Sequence, residues 1–141
     1  MKNEFLIKQI ITNDWEKELD QIGYDSTHIY KGKEKCLFKN LKIYDLTFPQ
    51  ANIVKQTALS FGADCATNRN VITGEAELSD VILSGSFSQL NKIAHKLKNQ
   101  PFSLSVLGDK LIEQLTEKNR ECYIKPNKAP SPCGKGALFC L

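Results

Sequence analysis

The sequence lacks most of what would announce a function. No apolar run approaches the roughly 20 residues needed to cross a bilayer, so a membrane span is excluded as the organising element. The amino terminus, Met1-Lys2-Asn3-Glu4, is polar, and its first apolar run, Phe5-Leu6-Ile7, is broken by Lys8 and Gln9, so it does not read as a signal peptide. The expected compartment is the cytoplasm. There is little excess charge of either sign: 19 basic and 16 acidic residues leave a net +3, well short of the clustered basic face of a dedicated nucleic-acid binder. Histidine is scarce, with only His28 and His95 available as bases of that type. His28 falls in a β-like segment and His95 on the polar flank of a helix, and neither accompanies a nucleophile motif. Ser84-Gly85-Ser86-Phe87-Ser88 has the wrong glycine spacing for a nucleophile elbow.

The five cysteines fit no zinc pattern, and neither histidine lies near the trio Cys122, Cys133 and Cys140. Cys36 and Cys65 read as core thiols. Cys140 stands next to last, which excludes a prenylation box. Cys133-Gly134-Lys135-Gly136 has the wrong residues around it for a phosphate loop: Ala129 stands where the first glycine belongs, and Gly136 replaces the Ser or Thr after the lysine. No metal ligand set and no cofactor is expected, and no catalytic residue is assigned.

What is present is an ordinary globular composition, 41% hydrophobic and 25% charged, at a length that suits one domain. Phe5 to Ile11 reads as a first strand. Asn13 and Asp14 can cap a short helix with Trp15, Leu19 and Ile22 inward and Gly23 as its terminator. Thr27 to Asp45 reads as β structure interrupted by a turn at Lys31-Gly32-Lys33, with Leu37, Leu41, Ile43 and Tyr44 on its buried side. Pro49 ends that extended segment. A helix follows over about Gln50–Ser60, with Ala51, Ile53, Val54, Ala58 and Phe61 on one side and Asn52, Lys55 and Gln56 on the other. A strand pair at Asp64–Ala66 and Val71–Thr73 is joined by Asn68-Arg69-Asn70. Asp80 to Leu83 is a short apolar strand closed by Gly85. Ser86 or Ser88 then caps a helix carrying Leu90, Ile93, Ala94 and Leu97. Strict alternation at Phe102, Leu104 and Val106 reads as a strand, and Gly108-Asp109 opens a last helix through about Glu117.

From about Asn119 periodicity stops; Pro126, Pro130 and Pro132 fall close together and Gly134 and Gly136 follow. The organisation read here is one α/β or α+β domain over residues 1–118, a small mixed sheet with helices packed on it, followed by a flexible tail or linker over 119–141. No internal repeat is evident.

One stretch carries a resemblance. Pro49-Gln50-Ala51-Asn52-Ile53-Val54-Lys55-Gln56, continuing to Gly62, Asp64 and Ala66 with Arg69 at the next turn, resembles the A-N-I-x-K-Q helix of an accessory amino-terminal domain in some bacterial and archaeal dihydropteroate synthases. Ser79-Asp80-Val81-Ile82-Leu83-Ser84-Gly85-Ser86 is similar to its S/T-D-V-L-L-x-G-T strand. Gln89-Leu90 and then Lys96-Leu97-Lys98-Asn99-Gln100-Pro101-Phe102-Ser103-Leu104 are similar to its closing K-x-Q-P-F-G-L stretch, with Ser103 in the glycine's place. The pieces keep their order over about Leu41–Leu107.

The resemblance implies a link to folate biosynthesis, in which such enzymes join a dihydropterin diphosphate to p-aminobenzoate. That chemistry belongs to a barrel of about 250 residues, whose G-x-x-N-x-T-x-D-S-F and Ser-Thr-Arg-Pro motifs are absent here. No pterin, p-aminobenzoate or magnesium ligand is therefore carried over. The expected role is an accessory domain, not catalytic alone, whose partner is a pterin-binding barrel domain or subunit. The contact surface implied is Asn52, Lys55, Gln56, Asp64, Arg69 and Gly85. Two rivals remain open. One is a stand-alone module holding a small anion or RNA at the Leu83 to Ser88 turn with Lys92 and Lys96. The other is a plain protein-interaction domain.

Overall fold

The computed structural model describes residues 4–71, 73 and 77–117. The tail expected from Asn119 onward lies outside them, as does its reading as a linker.

Two strand–helix units form the body. Strand β1 (Phe38–Thr47) runs directly into helix α3 (Phe48–Ser60), and strand β3 (Leu78–Ser86) runs directly into helix α4 (Phe87–Leu97). Between them lies the short strand β2 (Asp64–Ala66), and helix α5 (Leu104–Glu117) follows. The sheet order is β1-β3-β2 and every pairing is antiparallel, with Leu41 opposite Leu83 and Cys65 opposite the same Leu83. The fold is thus α+β; the expected mixed sheet is corrected to an antiparallel one, because among the described residues no strand is joined to its sheet neighbour by a helical crossover in the parallel sense.

The sheet has one covered face and one open face, as strand alternation dictates. Val81, Leu83 and Cys65 point into a core completed by Val54 and Ala58 of α3, Leu90, Ile93, Ala94 and Leu97 of α4, and Leu104, Leu111 and Leu115 of α5. On the open side, Asn40, Ser84 and Asp64 form one cross-strand row and Lys42, Ile82 and Ala66 the next. The Ser84 hydroxyl donates to Asn40 Oδ1 at 2.6 Å across the first row.

Ahead of the sheet, α1 (Trp15–Gln21) is capped by Asp14, whose carboxylate accepts the Lys17 N–H, and is followed by Gly23 at φ +78, as the sequence leads one to expect. It packs on α2 (Ile29–Cys36), and Lys33 Nζ meets Glu16 Oε1 at 3.0 Å between them.

Five expectations are corrected. Phe5–Ile11 is no strand: it pairs with no strand among the described residues and is exposed, Leu6 99% and Ile7 93%. Alternation made it strand-like, but a strand needs a partner edge. Lys31-Gly32-Lys33 is no turn but the middle of α2, where Gly32 admits the Tyr24 ring so closely that a Cβ would stand 2.9 Å from it. Packing there overrides glycine's poor helix propensity. Pro49 does not terminate β1 from outside; it occupies the first turn of α3, where its missing N–H costs nothing. Val71 belongs to a 3₁₀ turn (Arg69–Val71), not to a strand, and β2 pairs with β3 instead. Finally, Leu104 to Leu107 is helical. The inward set is Leu104, Gly108, Leu111 and Leu115, a 3.6-period stripe that outweighs the period-2 pattern of Phe102, Leu104 and Val106.

Candidate functional site

The two strand–helix junctions are built alike. Thr47-Phe48-Pro49-Gln50-Ala51-Asn52 and Ser86-Phe87-Ser88-Gln89-Leu90-Asn91 share a hydroxyl, Phe, Gln and Asn at equal spacing. Each forms a full capping box. Thr47 N–H donates to Gln50 Oε1 at 2.9 Å and Ser86 N–H donates to Gln89 Oε1 at 2.9 Å. The other end of each amide then reaches across: Gln89 Nε2 donates to the Phe61 carbonyl at the end of α3 (3.2 Å), and Gln50 Nε2 donates to the Phe102 carbonyl beyond the end of α4 (2.8 Å). The start of α4 is thereby tied to the end of α3, and the start of α3 to the turn between α4 and α5. This short repeat is legible in the sequence as [S/T]-F-x-Q-x-N, but a search for long repeats passes over six residues.

Around this clasp lie the residues expected to form a contact surface, and they do not converge on one cavity. Asn52 and Gln56 line a shallow groove of about 370 Å³ between α3 and Gln100, with Ile53, Thr57 and Ser60. Lys55 is half-buried on the same helix and its charge acts on Cys65. Burial pushes the Cys65 thiol up to about 11; the Lys55 ammonium opposes that rise and the Asp64 carboxylate adds to it. Asp64 itself is exposed on the open sheet face and accepts the Cys65 N–H at 2.8 Å. Arg69 is exposed in the 3₁₀ turn beyond β2. Gly85 is buried: a Cβ there would stand 3.0 Å from the Ala63 Cβ and 3.1 Å from Gln89 Oε1. Its role is to let β3 pass the α3–β2 turn and the Gln89 amide. The Leu83 to Ser88 turn offered above as an anion site spends the Ser86 hydroxyl and Gln89 amide on the capping box.

A second, more polar groove of about 500 Å³ lies on the open sheet face, lined by Lys42, Asp45, Ala66, Asn68, Asp80 and Ile82 among others. Asp45 sits at φ +56, a conformation Asp tolerates, and its N–H donates to Asp80 Oδ1 at 3.0 Å where β1 bulges between Ile43 and Leu46. Among the described residues no group of three or more His, Cys, Asp or Glu side chains could hold a metal ion.

Both histidines are exposed and approach only neighbours in their own turn or helix. His28 Nδ1 lies 3.1 Å from Asp25 Oδ2, but Asp25 is the cap of a 3₁₀ turn (Ser26–His28). The Thr27 hydroxyl, then the Thr27 N–H and His28, hold its carboxyl below the usual range in open solvent. His95, exposed on α4, has its Nδ1 2.8 Å from the Asn91 carbonyl oxygen. No helix among the described residues is long and apolar enough to cross a membrane.

The class defined by these features is a small α+β module of two clasped strand–helix units with shallow, open grooves. Its similarity to known proteins is partial. It is 28% identical over 110 residues to the bifunctional dihydropteroate synthase/dihydropteroate reductase of Helicobacter pylori, a match spanning 78% of this chain and 29% of that protein. It is 32% identical over 66 residues to a probable bifunctional folylpolyglutamate synthase/dihydropteroate synthase of Haloferax volcanii, spanning 47% of this chain and 8% of that protein. The chain therefore spans less than a third of the curated relatives it matches. No protein-family model matches it, and no solved structure does.

Proposed function

We propose that this chain is an accessory domain of a dihydropteroate synthase-like protein of folate biosynthesis, not catalytic by itself, that packs on a pterin-binding barrel. One observation carries the reading: the two relatives, one bacterial and one from Haloferax, are named for different second activities and share only the synthase. A segment common to both goes with the shared activity, so the reductase and folylpolyglutamate synthase names are not carried across. The site chemistry agrees. Among the described residues the grooves gather no nucleophile–base pair. Asn52, Gln56 and the exposed Phe102, which sits beside the Gln50 clasp, form the surface assigned to the barrel.

The experiment is a pteroate-formation assay on the purified chain, on a barrel-only synthase, and on both together, with binding followed by calorimetry. The expected result is no turnover by the chain alone and saturable binding to the barrel, weakened by Gln56→Glu. Turnover by the isolated chain, or no association with the barrel, overturns the reading.

A further inference from the structure

β1 is an edge strand. It pairs with β3 on one side, and no strand among the described residues occupies the other. The run Phe38–Tyr44 alternates evenly in exposure; its pairing with β3 is regular through Ile43, and Tyr44 opens the bulge that Asp45 completes. An unpaired edge presents a row of backbone donors and acceptors ready to take another strand. The side chains of this edge are unusual for one left to solvent: Phe38 is 66% and Tyr44 60% exposed, at the two ends of the run and on the same open face.

That run is self-complementary. When two copies are paired antiparallel about Leu41, the centre of the run, all seven residues find partners and both helical layers fall on the same side. On the open face Phe38 meets Tyr44 of the second copy and Asn40 meets Lys42 of the second copy. On the covered side Leu41 meets its own symmetry mate and the stem of Lys39 lies along Ile43. No like charges oppose each other. Shifting the register by two residues one way places Lys42 directly against Lys42, and shifting it the other way leaves Ile43 and Tyr44 unpaired. Lys42 already stands 4.9 Å from the centroid of its own Tyr44 ring.

We infer that this chain forms a two-fold dimer through the β1 edges, joining two three-stranded sheets into one of six strands. The contact lies at the small end of stable interfaces, below about 1,200 Å², so the dimer is concentration-dependent.

Sedimentation equilibrium of the full chain, from about 10 μM to about 1 mM, tests it, with circular dichroism to verify folding. The expected result is a monomer–dimer equilibrium. N40K, which sets a lysine against Lys42 of the second copy twice per dimer, weakens it about tenfold. The double variant N40K/K42D restores opposite charges and returns the dimer to within about threefold of the original. Both substituted positions, Asn40 and Lys42, are on exposed strand surface, so folding is preserved. A chain that stays monomeric throughout overturns the inference. So does dimerisation indifferent to N40K, or an N40K defect that K42D does not rescue.

Discussion

Removing the Gln89 side chain tests the clasp most directly. Gln89→Ala deletes the acceptor for the Ser86 N–H and the donor to the Phe61 carbonyl, both in half-buried surroundings. A net hydrogen bond contributes about 0.5–1.5 kcal/mol, and a partner left unsatisfied away from water costs about 1–3 kcal/mol. Two such losses, softened by partial water access, come to about 2–3 kcal/mol. Gln50→Ala removes the symmetry-related pair, but Thr47 N–H and the Phe102 carbonyl are exposed and return to solvent. It should cost about 0.5–1 kcal/mol. Gln89→Glu keeps the acceptor for Ser86 and replaces the donor to Phe61 by a carboxylate, so it should fall between the two. Urea titration followed by circular dichroism reads all three, the comparison being made on midpoints at unchanged slope. A Gln89→Ala loss under about 0.5 kcal/mol, or one smaller than that of Gln50→Ala, refutes the idea that the cross-bonds hold the two units together.

Three further outcomes are expected. Gly108→Ala drives a Cβ to 2.6 Å from the Ala94 carbonyl oxygen and 3.1 Å from the Lys98 N; overpacking of about 3 kcal/mol less about 1 kcal/mol of helix propensity leaves a loss of about 2 kcal/mol in the same titration. Ser103→Gly should raise the melting temperature, because Ser103 sits at φ +62; relief of about 1–2 kcal/mol of left-handed strain exceeds glycine's unfolded-state entropy of about 0.5–1 kcal/mol. Cys65 should resist thiol reagents in the native state. Burial raises its thiol from 9.0 to about 11, so the folded chain holds that proton longer than the unfolded one. The stability tied to it is complete below pH 9.0 and is lost as the pH rises toward about 11, a trend that Cys65→Ala should abolish in stability measured against pH.

Where local pattern and tertiary demand agreed, the sequence was readable. The α4 stripe of Leu90, Ile93, Ala94 and Leu97 is buried throughout, and Ser86 caps it. The β3 core of Val81 and Leu83 is equally plain. Readings failed where a short pattern fitted two periods or depended on a distant partner. Phe102, Leu104 and Val106 alternate, yet only Leu104 is buried, since Phe102 stays 57% exposed in the preceding turn. Gly32 looks like a turn residue until Tyr24, eight positions earlier, is placed against it. Phe5–Ile11 has a strand's composition and no described edge beside it. Of the residues singled out in the sequence, Asn52, Lys55 and Gln56 lie on α3, Asp64 on the open sheet face and Arg69 in a 3₁₀ turn, whereas Gly85 is buried through contacts with Ala63 and Gln89 that its immediate sequence neighbours do not reveal.

The reciprocal glutamines also bear on how the chain can be divided. The helices α3 and α4 end on their own backbone hydrogen bonds, but each unit also lends a glutamine amide to the other, at Phe61 and at Phe102, and β1 and β2 each pair only with β3. A cut between β2 and β3 should therefore yield two pieces that are separately unstructured and fold only on meeting. Insertion or permutation at that point should be tolerated while deletion of either half abolishes the fold. The domain behaves as a lock whose two keys are kept in each other's halves.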